Sequence, residues 1–271
     1  MTLRIAWLAT AKGTGSKLLF ERAADAIDAG QLDATIGVVF CNRERGQSVN
    51  TDAFLDLVES RGVPLVTLSS GDWRKRVGGA ISQPGQPLAA WRSDYEQAVH
   101  ERINAYDVQA GVLAGFMLIM PSLCQKLPLL NLHPALPQGP VGTWQEVIRR
   151  LIDSDADESG MMLQRSTPIL DRGPVVASCR YPLRGADLDE LWADRQTADR
   201  QSAKRQVPAN DDEPLFAAIR GKGVVREPHF LIASLQAIAQ DRIAIPDVSD
   251  SGSNLDLTSD VEAALGRERP G

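Results

Sequence analysis

Apolar runs the length of a buried strand alternate with amphipathic helical segments through the first part of this chain, and few folds accept that order. Residues 3–9 form a short apolar run rich in strand formers, and residues 16–29 carry Leu, Phe and Ala at helical spacing with charges between. A second apolar run at 35–40, a second helical pattern at 51–60 and a third run at 63–68 follow. Parallel neighbours in a sheet need a crossover, and the usual crossover is a helix. The pattern therefore predicts an α/β fold, a doubly wound, mostly parallel, Rossmann-like sheet. Further along, 71–88 reads as a loop, 92–105 as a helix, 108–116 as a strand buried on both faces, and 121 as the start of a short helix. A short strand at 129–132, an irregular loop at 133–142, a helix at 143–152 and two strands at 161–164 and 175–181 complete the pattern, with a loop at 168–174 between the last two.

Composition shifts after Arg184. Residues 185–213 are dense in Asp, Arg, Gln and Ala, which fits a solvated helix or a partly ordered insertion. Residues 230–239 return to an amphipathic helical pattern. From 247 onward the chain is rich in Asp, Ser and Gly and is expected to be mobile. The expected organisation is a main domain over 1–183, a charged insertion and helical segment completing it over 184–246, and a mobile tail over 247–271.

A chain of 271 residues, 43% hydrophobic and 24% charged, suits one large folded domain. Its net charge of −6 lacks the footprint of a nucleic-acid binder. No apolar stretch approaches the roughly 18 residues of a membrane span. The N-terminal stretch lacks the apolar core and cleavage site of a secretory signal, so a cytoplasmic protein without membrane or nucleic-acid partners is expected. Cys41, Cys124 and Cys179 are odd in number and form no CxxC, so neither a disulfide framework nor a metal site is expected. Imidazole chemistry has three candidates, His100, His133 and His229.

The first strand run ends in Thr10-Ala11-Lys12-Gly13-Thr14-Gly15-Ser16-Lys17. In a doubly wound sheet this loop faces the ligand crevice. Two glycines let backbone approach an anion, Ser16 can cap the following helix, and the helix N-terminus favours a phosphate. The same motif also fits a bare tight turn with an N-cap. It matches neither G-x-G-x-x-G nor G-x-x-x-x-G-K-[ST], which weighs against dinucleotide binding and ATP hydrolysis.

Asn131 and His133 sit two residues apart at a strand end, so they share a face where open α/β sheets bind ligands. Pro134 holds His133 extended. An amide and an imidazole there can donate to a developing oxyanion, and a carboxylate would complete the set. A buried strand-end histidine with a turn-capping asparagine fits the spacing as well. Asp171, in Leu170-Asp171-Arg172-Gly173-Pro174, is by itself an ordinary turn acid.

Together these pieces resemble the folate-dependent formyltransferases, most closely the phosphoribosylglycinamide (glycinamide ribonucleotide) formyltransferase group. Gly13-Thr14-Gly15-Ser16 resembles the family's G-x-G-S, Leu113-Ala114-Gly115-Phe116-Met117 its L-A-G-F-M, and Asn131-Leu132-His133-Pro134 its N-I-H-P. Leu170-Asp171-Arg172-Gly173-Pro174-Val175 resembles L-D-G-G-P-V, and the likeness spans about residues 3–183. It implies formyl transfer from 10-formyltetrahydrofolate, without a metal, to an amine of a phosphorylated small molecule. It implies Asn131, His133 and Asp171 as the catalytic set, with Asp171 keeping His133 charged. Arg92, Phe116, Met117, Leu118, Ile119 and Leu170 would hold the folate. Gly13, Thr14, Gly15, Ser16, Lys17 and Glu227 would hold the phosphorylated substrate.

Departures accompany the likeness. Leu118 stands where the family has arginine, Lys17 where it has asparagine, Arg172 where it has glycine, and Ala135 where it has serine. Insertions fall near 71–90 and 185–220. An intact triad with altered surroundings suits a divergent formyltransferase. Hydrolysis of 10-formyltetrahydrofolate, formylation of an amino-sugar nucleotide, and a non-catalytic folate-binding role are the alternatives. A homodimer is a possible assembly.

Overall fold

The computed structural model describes residues 2–82, 86–185, 187–201, 211 and 213–268. The strands among them are β1 (Leu3–Ala9), β2 (Ala34–Cys41), β3 (Leu65–Thr67), β4 (Ala110–Leu113), β5 (Leu129–His133), β6 (Glu158–Arg165), β7 (Val175–Pro182) and β8 (Gly252–Asp256). They form one sheet in the order β3-β2-β1-β4-β5-β6-β7-β8. The run from β3 to β5 is parallel, β6 is antiparallel to both β5 and β7, and β8 returns parallel to β7. The mostly parallel, doubly wound class expected from the sequence is the class observed. The strand order reverses between β1 and β4, which opens the crevice at the carboxyl ends of β1, β4 and β5.

Helices cover both faces. On one, α1 (Thr14–Asp28) and α2 (Val49–Ser60) pack against β1 through Trp7, Phe20 and Phe54, whose rings meet edge to face at 5.9 and 5.7 Å. On the other, Tyr95, Val99 and Ile103 of α4 (Trp91–Asn104) and Leu123 of α5 (Leu123–Lys126) bury Leu8 and Phe40. The residues from Ile5 to Ala9 have no exposed surface at all. That is why β1 reads as an unbroken apolar run rather than an alternating one. Among the described residues, no helix is long and apolar enough to cross a membrane.

Several expectations are corrected. Within the stretch expected to be loop lies α3 (Ser70–Arg76), where the Ser69 hydroxyl accepts from the Asp72 amide and Trp73 meets Tyr95 edge to face. A serine cap and one aromatic contact fold a segment whose composition reads as irregular. β4 is shorter than its apolar run, because Gly115 takes φ +66° and turns the chain out of the sheet. The charged insertion contains α7 (Asp189–Gln201), whose Trp192 is buried and donates to the Leu183 carbonyl. Part of that insertion, residues 202–210, lies outside the described residues. The amphipathic pattern at 230–239 is the second half of α8 (Pro214–Ala239), which carries Pro228 inside it. α6 (Trp144–Asp153) starts with a full capping box between Thr143 and Glu146.

The largest correction is the C-terminal stretch. Instead of a mobile tail, β8 adds to the sheet edge and α9 (Thr258–Glu268) buries Val261 and Leu265. Four widely spaced apolar residues carry this docking, and the intervening Asp, Ser and Gly hide them from composition. Leu257, with no exposed surface, sits at the junction. Leu257→Ala is expected to cost about 3 kcal/mol, the range for a buried leucine, read as a lower urea midpoint with an unchanged slope.

Candidate active site

β5 and β6 run antiparallel with Asn131 opposite Gln164 and His133 opposite Met162. Asn131, His133 and Gln164 therefore gather at the carboxyl end of β5. After β6 the chain turns at 169–173, where Asp171 takes φ +51°, a left-handed conformation that a short polar side chain tolerates. This aims the carboxylate back at the strand ends.

Asp171 Oδ1 accepts from Asn131 Nδ2 at 3.3 Å and from Gln164 Nε2 at 3.2 Å, and lies 3.6 Å from His133 Nδ1. Asp171 Oδ2 accepts from the Gly142 amide at 3.3 Å. The His133 and Asp171 side chains are 3% and 4% exposed, so the ion-pair geometry is shielded from water. On the other edge of the ring, His133 Nε2 is 3.0 Å from the Pro140 carbonyl. A carbonyl only accepts, so Nε2 carries a hydrogen. The segment 138–142 thus lies over the imidazole, and the Gly142 amide ties it to Asp171.

Gln164 is the site residue that sequence reading missed. It is buried, and its Oε1 has no partner. The available signal was a polar residue directly after the apolar run Met161–Leu163. Gln164→Leu is expected to lower kcat about tenfold with KM unchanged, because one of the bonds fixing Asp171 is lost. A matching rise in KM would point instead to a direct contact with substrate.

The expected folate residues occupy two apolar flanks. Leu113 of β4 pairs with Asn131 of β5, so residues 114–119 leave the sheet beside the cluster. Met117 there is 61% exposed, while Leu118 and Ile119 are half-buried. Ile169 and Leu170, 69% and 51% exposed, precede Asp171 on the other flank. Phe116 is buried against Phe40. Arg92 is buried and donates to the Ile119 carbonyl, so it grips the backbone of the first flank. Burial pulls its guanidinium below the ordinary value, opposed by Glu96.

At the glycine loop, Gly13 rather than Ser16 is the N-cap of α1, and no side chain caps the helix. Ser16 lies in the first turn, buried, where a Cβ on Gly115 would meet its Oγ at 2.5 Å. Gly13, Thr14 and Gly15 are exposed, and Lys17 is half-buried. Asn50 and Thr51 at the start of α2 donate to the carbonyls of Lys12 and Ala11, pinning the loop. Glu227 of α8 is held by Arg220 at 2.6 Å, and Arg220 stacks on Trp144. His229 faces Glu268 at 3.4 Å. Cys41 and Cys179 are buried, and burial pushes each thiol up to about 11. Among the described residues, no three His, Cys, Asp or Glu side chains are grouped to share a metal ion.

Sheet, glycine turn and strand-end cluster define a doubly wound α/β protein with an Asn–His–Asp set in its switch-point crevice. The chain belongs to the formyl transferase family, whose profile, described as "Formyl transferase", matches residues 3–202. It is 27% identical to the phosphoribosylglycinamide formyltransferase of Escherichia coli K12 over 191 residues, 68% of this chain and 77% of that protein. In fold it is similar to glycinamide ribonucleotide transformylase 1 from Symbiobacterium toebii, with TM-score 0.63 at 18% identity, covering 91% and 92% of the two chains. It is also similar in fold to a formyltetrahydrofolate deformylase from Pseudomonas syringae pv. tomato, with TM-score 0.61 at 16% identity, covering 92% of this chain and 65% of that one.

Proposed function

We propose that the protein transfers a formyl group from 10-formyltetrahydrofolate to an amine on a phosphorylated small molecule, glycinamide ribonucleotide or a related acceptor. The observation that carries this reading is Asp171 reaching both Asn131 and His133 inside a shielded crevice. The donor fits the residues present: the two exposed apolar flanks, at Met117 and at Ile169–Leu170, suit a flat ring.

In the reaction the acceptor nitrogen bonds to the formyl carbon, the bond from that carbon to the folate nitrogen breaks, and a proton passes from amine to folate nitrogen. Asn131 keeps one amide hydrogen free while the other is given to Asp171. That hydrogen and His133 Nε2–H would meet the oxyanion. Asp171 holds the ring in place, its Oδ1 3.6 Å from His133 Nδ1. Presenting Nε2–H requires the 138–142 segment to draw the Pro140 carbonyl away. The exposed turn at 13–15 and the uncapped start of α1 would take the acceptor's phosphate, with Lys17 beside it.

The test is a screen of phosphorylated amines with 10-formyltetrahydrofolate, following release of tetrahydrofolate. Amine-dependent release supports transfer. Release at the same rate without any amine makes water the acceptor and the protein a hydrolase. Donor binding with no release under any condition leaves a folate-binding protein.

A further inference from the structure

A second cavity, of 580 Å³, opens at the carboxyl edge of β2 and β3, away from the His133 cluster. Asn42, Arg43, Gln47, Ser70, Asp72 and Lys75 line it. Asn42 directly follows β2. Its amide donates to the Ala9 carbonyl at 3.3 Å and its carbonyl accepts from the Ser70 amide at 3.1 Å, so its position is fixed. The side chain is 4% exposed. Its Nδ2 donates to Ser70 Oγ at 3.3 Å, and its Oδ1 has no partner. Buried polar atoms are almost always satisfied, so an orphaned acceptor on a cavity wall calls for a ligand N–H or O–H.

Arg43 supplies the charge. Its Nε donates to Thr51 Oγ1 at 3.2 Å and its Nη2 to the Gln47 carbonyl at 3.1 Å, both neutral acceptors. Among the described residues it has no carboxylate partner, whereas Arg45 and Arg61 each have two. Asp72 does not offset it, because that carboxylate accepts from Gln47 Nε2 at 2.6 Å and faces Lys75 at 3.6 Å. The cavity thus presents an unsatisfied acceptor beside an uncompensated guanidinium. In doubly wound sheets, the end of the second strand is where a side chain reads ribose hydroxyls and an arginine receives an attached phosphate.

We propose that this cavity is a phosphosugar site, with a sugar hydroxyl donating to Asn42 Oδ1 and a phosphate on Arg43. Resting on the function proposed above, it selects, among the related acceptors, one that carries a second phosphorylated sugar beyond the group in the glycine turn, rather than glycinamide ribonucleotide, which has one. The two places are physically joined: Thr51 accepts from Arg43 and donates to Ala11, the residue before Lys12 and Gly13. One wall is α3, which overlaps the stretch near 71–90 that the resemblance marks as an insertion.

Ribose 5-phosphate is the probe, titrated calorimetrically into wild type and three variants. Arg43→Met removes the charge. Gly71→Phe places a ring from the cavity wall, starting from a Cβ that meets no heavy atom nearer than 3.8 Å. Gly15→Leu obstructs the glycine turn, where a Cβ meets nothing within 4 Å. Wild type is expected to show two classes of site. Arg43→Met and Gly71→Phe each weaken one class by about tenfold or more, and Gly15→Leu weakens the other. A single class, lost in Arg43→Met and Gly71→Phe but kept in Gly15→Leu, supports the cavity while removing the phosphate from the glycine turn. Binding unchanged in both Arg43→Met and Gly71→Phe, or absent from wild type, overturns the proposal. Inorganic phosphate binding the cavity as tightly as ribose 5-phosphate overturns its sugar part.

Discussion

Replacing His133 with alanine is expected to lower kcat for formyl transfer about a thousandfold, while donor binding changes by no more than about twofold. The imidazole is shielded, holds its Nε2 hydrogen on the Pro140 carbonyl, and lies 3.6 Å from a carboxylate that two side-chain amides and a backbone amide already fix. A charge that forms on the substrate oxygen in such a place interacts with a preset donor through little intervening water. In the proposed site donor binding rests on other parts, the apolar flanks at 117–119 and 169–170, so KM and kcat should separate. Asp171→Asn is the companion variant: asparagine accepts the same left-handed backbone but brings no charge. Turnover within about threefold of wild type in His133→Ala would remove the imidazole from the chemistry.

Gly173→Ala is expected to destabilise the fold by about 3 kcal/mol or more and to abolish turnover with it. A Cβ at this position would lie 1.6 Å from the Arg165 carbonyl oxygen. That oxygen is backbone at the end of β6, and the Arg165 amide bonds the Pro174 carbonyl at 2.9 Å, so neither side can yield without opening the sheet edge. The turn that carries Asp171 closes only while residue 173 has no side chain. Gly71→Ala serves as the control, because an added methyl there meets nothing nearer than 3.8 Å and should leave stability within about 0.5 kcal/mol. Urea unfolding and turnover, measured on both, separate a local clash from a general intolerance of alanine.

The sheet was legible because its buried parallel strands leave uninterrupted apolar runs, as in Ile5–Ala9 and Val38–Cys41, and its crossover helices leave spaced ones. Asn131 and His133 were legible as a pair through the two-residue period of a strand. Their junction with Asp171, forty positions away, was not derivable from spacing, and it came into view through resemblance. Gln164 escaped because one polar residue in a strand has no period to reveal it, and its role depends on the antiparallel register that sets it opposite Asn131. The C-terminal strand and helix escaped because Leu255, Leu257, Val261 and Leu265 are diluted by Asp and Ser. Their burial is a property of the surfaces offered by β7 and α8, not of the segment. Ser16 was misplaced as a cap by the ordinary preference for serine there, where the turn instead uses Gly13 and packs the hydroxyl under Gly115.

The most direct measurement is a crystal structure with a hydrolytically stable 10-formyl folate analogue bound. The formyl oxygen is expected about 3 Å from both Asn131 Nδ2 and His133 Nε2, with the ring between Met117 and Leu170 and the Pro140 carbonyl displaced from the imidazole. An analogue seated elsewhere, with Pro140 still bonded to His133, would contradict the assignment of this crevice as the place where the formyl group moves.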